Sequence, residues 1–92
     1  MTKSLHSDRY AELLVVLRSA RQLAGLTQGD IAKRLGKPQS YVSKLERGER
    51  RIDVIEFIDF IEVSGFDPVA SLNALIGTLG EMPDQPSRKR NS

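Results

Sequence analysis

The 92-residue chain contains no cysteine and only one histidine, His6. Without cysteine, neither a disulfide bond nor a thiolate metal site can stabilise the fold. A single histidine close to the amino terminus, with no glycine-rich phosphate loop after a strand, supplies little from which a catalytic centre could be built. We therefore predict that the protein is not an enzyme and that it binds neither a metal ion nor another cofactor.

Long apolar runs are missing as well. The longest is the five-residue run from Leu13 to Leu17, whereas a membrane-spanning helix needs about 20 apolar residues. The amino terminus also lacks the hydrophobic core of a secretion signal. We therefore expect a soluble, cytoplasmic protein with one small domain. Such a domain has only a modest core, so association of subunits would add to its stability.

Hydrophobic periodicity predicts a compact all-α fold of five helices. The first helix is expected from Asp8 to about Leu23, after a capping serine at position 7. Its predicted buried face consists of Leu13, Leu14, Leu17, Ala20 and Ala24. The fourth helix is expected from Val54 to about Ser64, and the fifth from Pro68 to about Ile76 or Leu79.

The two ends of the chain show no helical periodicity. Residues 1–6 are predicted to form a flexible arm, and the proline-containing polar stretch at 80–92 a disordered tail. Residues 7–79 would then form the single folded domain.

The second and third helices occupy the stretch from Thr27 to Gly48. Thr27 and Asp30 form an approximate capping box that starts a helix at Gln28. Gly36 can adopt the left-handed conformation that ends this helix, and the next one begins near Pro38. Apolar residues at helical spacing give both helices an inward face: Ile31, Ala32, Leu35, Val42 and Leu45. Amides, hydroxyls and cations remain outside, and these groups bond to base edges and phosphates.

This stretch resembles the helix-turn-helix of the phage-repressor, or Xre-type, regulators. The matching positions are Gln28, Ile31, Ala32, Leu35, Gly36, Val42 and Leu45, with Leu-Glu-Arg-Gly at 45–48 as a closing motif. The resemblance implies a DNA-binding regulator with a structural ion pair between Arg21 and Glu46. It also implies that the loop after Gly48 follows the sugar-phosphate backbone, although an ordinary polar loop would explain the same residues.

Charge is distributed unevenly along the chain. The stretch from Thr27 to Ile52 contains seven basic and three acidic residues, whereas Asp53 to Asp67 contains five acidic residues and no basic ones. A positive face is expected where a protein meets phosphates, although solvated helix faces are the plainer explanation of charge clusters. The carboxylates at three-residue steps, Asp53, Glu56, Asp59 and Glu62, are interpreted as a solvated stripe rather than a metal or acid–base site.

The predicted DNA contacts fall into two groups. The base-reading group is Gln39, Ser40, Ser43 and Lys44. A carboxamide can pair with adenine, an ammonium group can reach guanine, and hydroxyls can bond to several bases. The phosphate-binding group is Thr27, Gln28, Tyr41, Arg47, Arg50 and Arg51. The helix dipole favours an anion beside Gln28, while the ring of Tyr41 could instead pack on the domain surface.

The last two helices carry more apolar side chains than a single buried stripe requires. The family resemblance implies pairing through the last helix, and the predicted dimer interface is Ile58, Val69, Leu72, Leu75, Ile76 and Leu79. The expected partner is double-stranded DNA with an inverted repeat, bound by a homodimer that represses transcription. Alternatively, the domain uses this surface internally, or it covers a protein partner such as a toxin, with DNA binding secondary.

Overall fold

The computed structural model describes residues 8–78, which form five helices and no strand. The helices are α1 (Asp8–Leu23), α2 (Gln28–Leu35), α3 (Gln39–Glu46), α4 (Val54–Val63) and α5 (Pro68–Thr78). This confirms the predicted all-α architecture with a helix-turn-helix at α2 and α3. The predicted arm and tail, together with Ser7 and Leu79, lie outside the described residues. No helix within residues 8–78 is both long enough and apolar enough to cross a bilayer.

Reciprocal capping boxes fix where α2 and α4 begin. At α2, the Asp30 amide donates to Thr27 Oγ1 at 3.0 Å, and the Thr27 amide donates to Asp30 Oδ2 at 2.9 Å. At α4, the Glu56 amide donates to Asp53 Oδ1 at 2.7 Å, and the Asp53 amide donates to Glu56 Oε1 at 3.0 Å. Each box satisfies two backbone amides that the helix leaves without a partner.

The turn between α2 and α3 depends on Gly36. Its φ of 69° is in the left-handed region, and the Lys37 amide closes the turn by donating to the Ala32 carbonyl at 2.9 Å. Pro38 follows with φ −69° and ψ 155°, so its backbone is extended and α3 starts one residue later, at Gln39. The chain thereby reverses within a few residues and sets α3 against α2.

The core forms where α1, α2, α3 and α4 meet. The largest side chains that are almost wholly inaccessible to solvent are Leu17, Ile31, Val42, Leu45, Phe60 and Ile61. The prediction that Ala24 is buried is wrong, because α1 ends at Leu23 and Ala24 is exposed in the turn that follows. Tyr10, which the apolar pattern did not include, is buried instead, and its hydroxyl accepts a hydrogen bond from the Ile52 amide at 3.2 Å.

Candidate nucleic-acid interface

Helix α3 has one buried and one polar face. Val42 and Leu45 are 0% and 1% exposed and anchor the helix in the core. On the other side, Gln39, Ser40 and Lys44 are exposed and Ser43 is half-buried. All four predicted base-reading residues therefore lie on a helix whose opposite face is fixed by packing. Their side chains offer a carboxamide, two hydroxyls and an ammonium group to a ligand.

The start of α2 lies close to the start of α3. The carboxamide oxygen of Gln39 is 3.9 Å from the point where a β-carbon at Gly29 would lie, and Thr27 Oγ1 is 3.7 Å from it. Both distances are ordinary van der Waals contacts. The structure thus brings the predicted base-reading residue Gln39 beside the predicted phosphate-binding residues Thr27 and Gln28.

A buried ion pair connects α1 with the last residue of α3. Arg21 Nε donates to Glu46 Oε2 at 2.7 Å and Arg21 Nη2 donates to Glu46 Oε1 at 2.9 Å. The two side chains are 13% and 2% exposed. Arg21 Nη1 also donates to the Leu26 carbonyl at 3.0 Å, so this guanidinium bonds both to α3 and to the loop before α2. A bidentate arginine–carboxylate pair of this kind restricts distance and orientation together.

Two further side chains converge on Glu46. Gln28 Nε2 donates to Glu46 Oε1 at 3.0 Å, and Arg18 Nη1 donates to the Glu46 carbonyl at 3.2 Å. The side-chain amide group of Gln28, predicted to meet a phosphate, is thus used inside the protein. The network joins α1, α2 and α3 at one residue and restricts the orientation of α3.

Arg47, directly after α3, makes a second and exposed ion pair. Arg47 Nε and Nη2 donate to Glu49 Oε2 and Oε1 at 2.9 and 3.1 Å, while Nη1 donates to Ser43 Oγ at 2.8 Å. Glu49 raises the pKa of Arg47, mainly through this hydrogen bonding, and Arg47 in turn lowers the pKa of the Glu49 carboxyl. Arg47 therefore bonds at once to a carboxylate and to Ser43, one of the predicted base-reading residues.

Tyr41 is surrounded by charged side chains. Arg50 Cζ lies 4.8 Å and Lys37 Nζ 5.2 Å from its ring centroid, within the range of cation–π attraction. Burial, followed by a hydrogen bond with Glu56, raises the pKa of the Tyr41 hydroxyl. The half-buried ring thus packs on the domain surface and supports two cations beside the start of α3.

Arg50 is held by the first turn of α4. Its Nη2 lies 3.2 Å from Glu56 Oε2, and its Nη1 donates to Glu56 Oε1 at 3.2 Å and to the Arg51 carbonyl at 3.1 Å. Hydrogen bonding to Arg50 is the largest cause that lowers the pKa of the Glu56 carboxyl. Arg50 therefore braces the loop after α3 against α4. The Arg51 side chain lies against α1, with its Cζ 4.3 Å from the centroid of the Tyr10 ring.

Sequence reasoning missed Lys37, Arg18 and Glu49 as members of this region. Arg18 is three residues before Arg21 on α1, so helical spacing could have placed both on the face that meets α3. Lys37 lies in the turn, outside both helices, so helical spacing gave no signal for its contact with the Tyr41 ring. No spacing rule would have paired Glu49 with Arg47, because the two lie in an irregular loop.

An apolar groove lies between α4 and α5, with a volume of about 520 Å³. Its apolar lining includes Leu13, Ile52, Val54, Phe57, Ile58, Val69, Leu72 and Leu75, and its acidic lining comprises Asp53, Glu62 and Asp67. Of the predicted interface residues, Val69, Leu72 and Ile76 are 66%, 45% and 52% exposed, and Ile58 is half-buried. Leu75 is only 8% exposed, so it packs within the subunit and offers little surface to another molecule.

Comparisons with known proteins agree with this geometry. A helix-turn-helix family model matches residues 17–67, which span the end of α1 through α4. No curated protein sequence matches the chain. A solved structure of an XRE-family like protein from Pseudomonas syringae pv. tomato str. DC3000 is 51% identical, with a TM-score of 0.77 over 83% of this chain and 92% of that one. The chain therefore belongs to the Xre-type helix-turn-helix family of DNA-binding transcription regulators.

Proposed function

We propose that the protein is a homodimeric repressor that recognises an inverted repeat in double-stranded DNA. The observation that carries this proposal is the polar face of α3, which presents Gln39, Ser40 and Lys44 to solvent while Val42 and Leu45 are anchored in the core. An α-helix fits into the major groove, where each base pair offers a distinct pattern of donors and acceptors. The Arg21–Glu46 pair supports this role, because readout requires a fixed helix orientation.

Base recognition is assigned to the four outward residues of α3. Gln39 pairs bidentately with adenine and Lys44 donates to guanine O6 and N7, while Ser40 and Ser43 bond to further base edges. A good bidentate contact contributes about 1–3 kcal/mol of discrimination against a wrong base. Gln39 lies at the start of α3, the end that enters the groove when a recognition helix docks through its first residues.

Phosphate contacts are assigned to the two ends of the helix-turn-helix. At the start of α2, beside Thr27, backbone amides and the helix dipole favour an anion, while the Gln28 side chain remains on Glu46. At the other end, Arg51 and Arg50, which lies over the Tyr41 ring, supply positive charge. These contacts hold the protein in register on the duplex and read no sequence themselves.

Dimerisation is assigned to the groove between α4 and α5. Two copies joined there would bury Val69, Leu72 and Ile76, which a lone subunit leaves largely exposed. A two-fold dimer would present its two α3 helices to successive major grooves, about 34 Å apart on one face of the duplex. Occupying such a site would exclude RNA polymerase from an overlapping promoter.

The same groove supports a second candidate function, as the docking surface for another protein such as a toxin. Its apolar lining between exposed α5 residues is the observation that favours this alternative. Sedimentation of the purified chain distinguishes the two functions. A dimer would support pairing through the groove, whereas a chain that stays monomeric at all accessible concentrations would have the groove available to bind another protein.

Base reading is tested by selecting bound duplexes from a random library with wild-type protein, Gln39→Ala and Gln22→Ala. Gln22 is an exposed glutamine on α1, so it provides a control with the same chemical change away from α3. We expect Gln39→Ala to lose base preference at one position in each half-site, whereas Gln22→Ala should recover the wild-type motif. An unchanged motif from Gln39→Ala would contradict its assignment.

Positioning is tested with Arg51→Ala in the same system. We expect weaker binding to every duplex by a similar factor, and a salt dependence shallower by about 0.9 for each phosphate that the variant no longer neutralises. A reduction in affinity confined to particular base positions would contradict the assignment of Arg51 to the backbone.

A further inference from the structure

The Arg47 guanidinium directs its donors to two different partners. Its Nε and Nη2 both donate to the Glu49 carboxylate, at 2.9 and 3.1 Å, and its Nη1 donates to Ser43 Oγ at 2.8 Å. The Nε and Nη2 edge is the fork that binds a carboxylate or a phosphate in the same bidentate manner. Glu49 therefore occupies one of the two edges through which Arg47 could bind a phosphate bidentately, and Ser43 occupies a donor of the other edge.

The hydrogen bond from Arg47 determines whether the Ser43 hydroxyl acts as donor or acceptor toward that residue. A guanidinium has no acceptor, so Ser43 Oγ accepts from Arg47 and cannot donate to it. The hydroxyl hydrogen is therefore not used on Arg47, and Ser43 Oγ makes no second hydrogen bond among residues 8–78. Ser43 is thus prepared to donate to a ligand on the outer face of α3. In the major groove, N7 of a purine, O6 of guanine and O4 of thymine accept such a bond.

We propose that Glu49 determines specificity by holding Arg47 on Ser43 and away from phosphates. This inference rests on the proposed function, since it assigns roles within the same DNA-binding surface. Arg47 is then a positioning residue for Ser43 and not a phosphate ligand, which revises its assignment from the sequence. The positive charge of Arg47, neutralised by Glu49, contributes little to binding of arbitrary DNA.

The consequence is a larger ratio between specific and non-specific affinity. Non-specific binding consists almost entirely of phosphate neutralisation, so a cation paired with a carboxylate weakens it. Specific binding retains the Ser43 contact, because Arg47 stays in place when the base is read. Glu49 thus lowers affinity for random DNA while it preserves readout at one base position.

The test compares random duplex and selected operator, each titrated at several salt concentrations, for wild type, Glu49→Gln and Asp59→Asn. Asp59 is an exposed carboxylate on α4 without a hydrogen bond or ion pair among residues 8–78, so its variant makes the same change in net charge away from Arg47. For Glu49→Gln we expect affinity for random duplex to rise about two- to fivefold, the scale of an exposed ion pair. Its salt slope should steepen by about 0.9 per subunit as Arg47 gains a phosphate. Asp59→Asn should follow the wild type, and equal gains in both variants would overturn the proposal.

Two further variants isolate the Arg47 contact. In an Arg47→Ala background, Glu49→Gln should no longer strengthen binding to random duplex and should behave like Asp59→Asn, because no guanidinium remains to be released. Arg47→Ala alone should leave the salt slope on random duplex unchanged and should relax the base preference at the position that Ser43 faces, because the hydroxyl is no longer held in one orientation. A slope reduced by about 0.9 per subunit would identify Arg47 as an ordinary phosphate ligand and overturn the proposal.

These measurements separate this inference from the proposed function. The random-duplex titrations need no operator, so they test the restraint on Arg47 even if no sequence is enriched. Conversely, enrichment of an operator by a protein whose Glu49→Gln variant binds like Asp59→Asn would support the proposed function and reject the role of Glu49.

Discussion

Replacing Glu46 with glutamine should destabilise the protein severely while preserving nearly the same shape. The wild-type carboxylate is 2% exposed and pairs with Arg21, which is 13% exposed. Glutamine removes the negative charge and leaves the guanidinium largely buried without compensation. Removing one member of a fully buried pair costs about 3–5 kcal/mol. Because Arg21 retains some solvent and its bond to the Leu26 carbonyl, we expect about 2–3 kcal/mol.

The loss expected for Glu46→Gln is a large fraction of the free energy of unfolding. A domain of this size has a free energy of unfolding of roughly 5–14 kcal/mol, from about 0.05–0.15 kcal/mol per residue. Urea denaturation followed by far-ultraviolet circular dichroism measures the change, which should appear as a lower midpoint with an unchanged slope. Glu49→Gln is the matched control, because Glu49 is 53% exposed and its ion pair with Arg47 faces solvent. Its midpoint should stay at the wild-type value.

A double variant separates the effect of the charge pair from the effect of packing. Arg21→Met with Glu46→Leu removes both charges and fills the space with apolar groups, and such replacements are often neutral or stabilising. We expect this double variant to recover most of the stability that Glu46→Gln loses. Equal midpoints for Glu46→Gln and Glu49→Gln would refute the reasoning, because burial would then have made no difference.

Three further perturbations test the turn, the dimer and the capping box. In thermal unfolding, Gly29→Ala should stabilise the protein by about 0.5–1 kcal/mol, because alanine favours the helix and its β-carbon would make only ordinary contacts. Gly36→Ala should instead cost about 1–2 kcal/mol, because φ is 69° at this position. Leu72→Lys should sediment as a monomer and Leu23→Lys, on α1, should remain a dimer; a Leu72→Lys dimer would place the interface elsewhere. Hydrogen bonds with the backbone and side chain of Thr27 lower the pKa of Asp30 in the folded protein. The ionised Asp30 carboxylate therefore stabilises the fold above the ordinary carboxyl pKa near pH 4, and this contribution is lost as pH falls through the lower folded-state pKa. Asp30→Asn should therefore lose less stability than wild type when urea midpoints at about pH 5 and pH 3 are compared, and identical losses would contradict this role.

The helix-turn-helix could be predicted from sequence because its determinants are local. The capping box joins Thr27 to Asp30 within one helical turn, and Gly36 stops α2 through its own backbone conformation. Apolar residues such as Val42 and Leu45 follow helical spacing, which specifies their buried face without knowledge of the rest of the fold. Helix boundaries and the orientation of α3 residues were therefore available from short segments.

Side-chain pairings could not be predicted in the same way. The carboxamide of Gln28 bonds to Glu46, 18 residues later, and this contact depends on how α2 and α3 cross. Arg47 and Arg50 were both predicted to bind phosphates, since a sequence gives the charge but not its partner. In the folded chain each arginine meets a carboxylate on a loop or helix that follows it. Such pairings depend on tertiary geometry and on competition among donors.

Selection of duplexes from a random library, with the native protein at near-physiological salt, tests the central claim most directly. We predict enrichment of a short inverted repeat whose half-site centres lie about 10–11 base pairs apart, the spacing of two recognition helices in a two-fold dimer. A folded protein that enriches no sequence, or only a single unrepeated site, would contradict recognition of an operator by a homodimer.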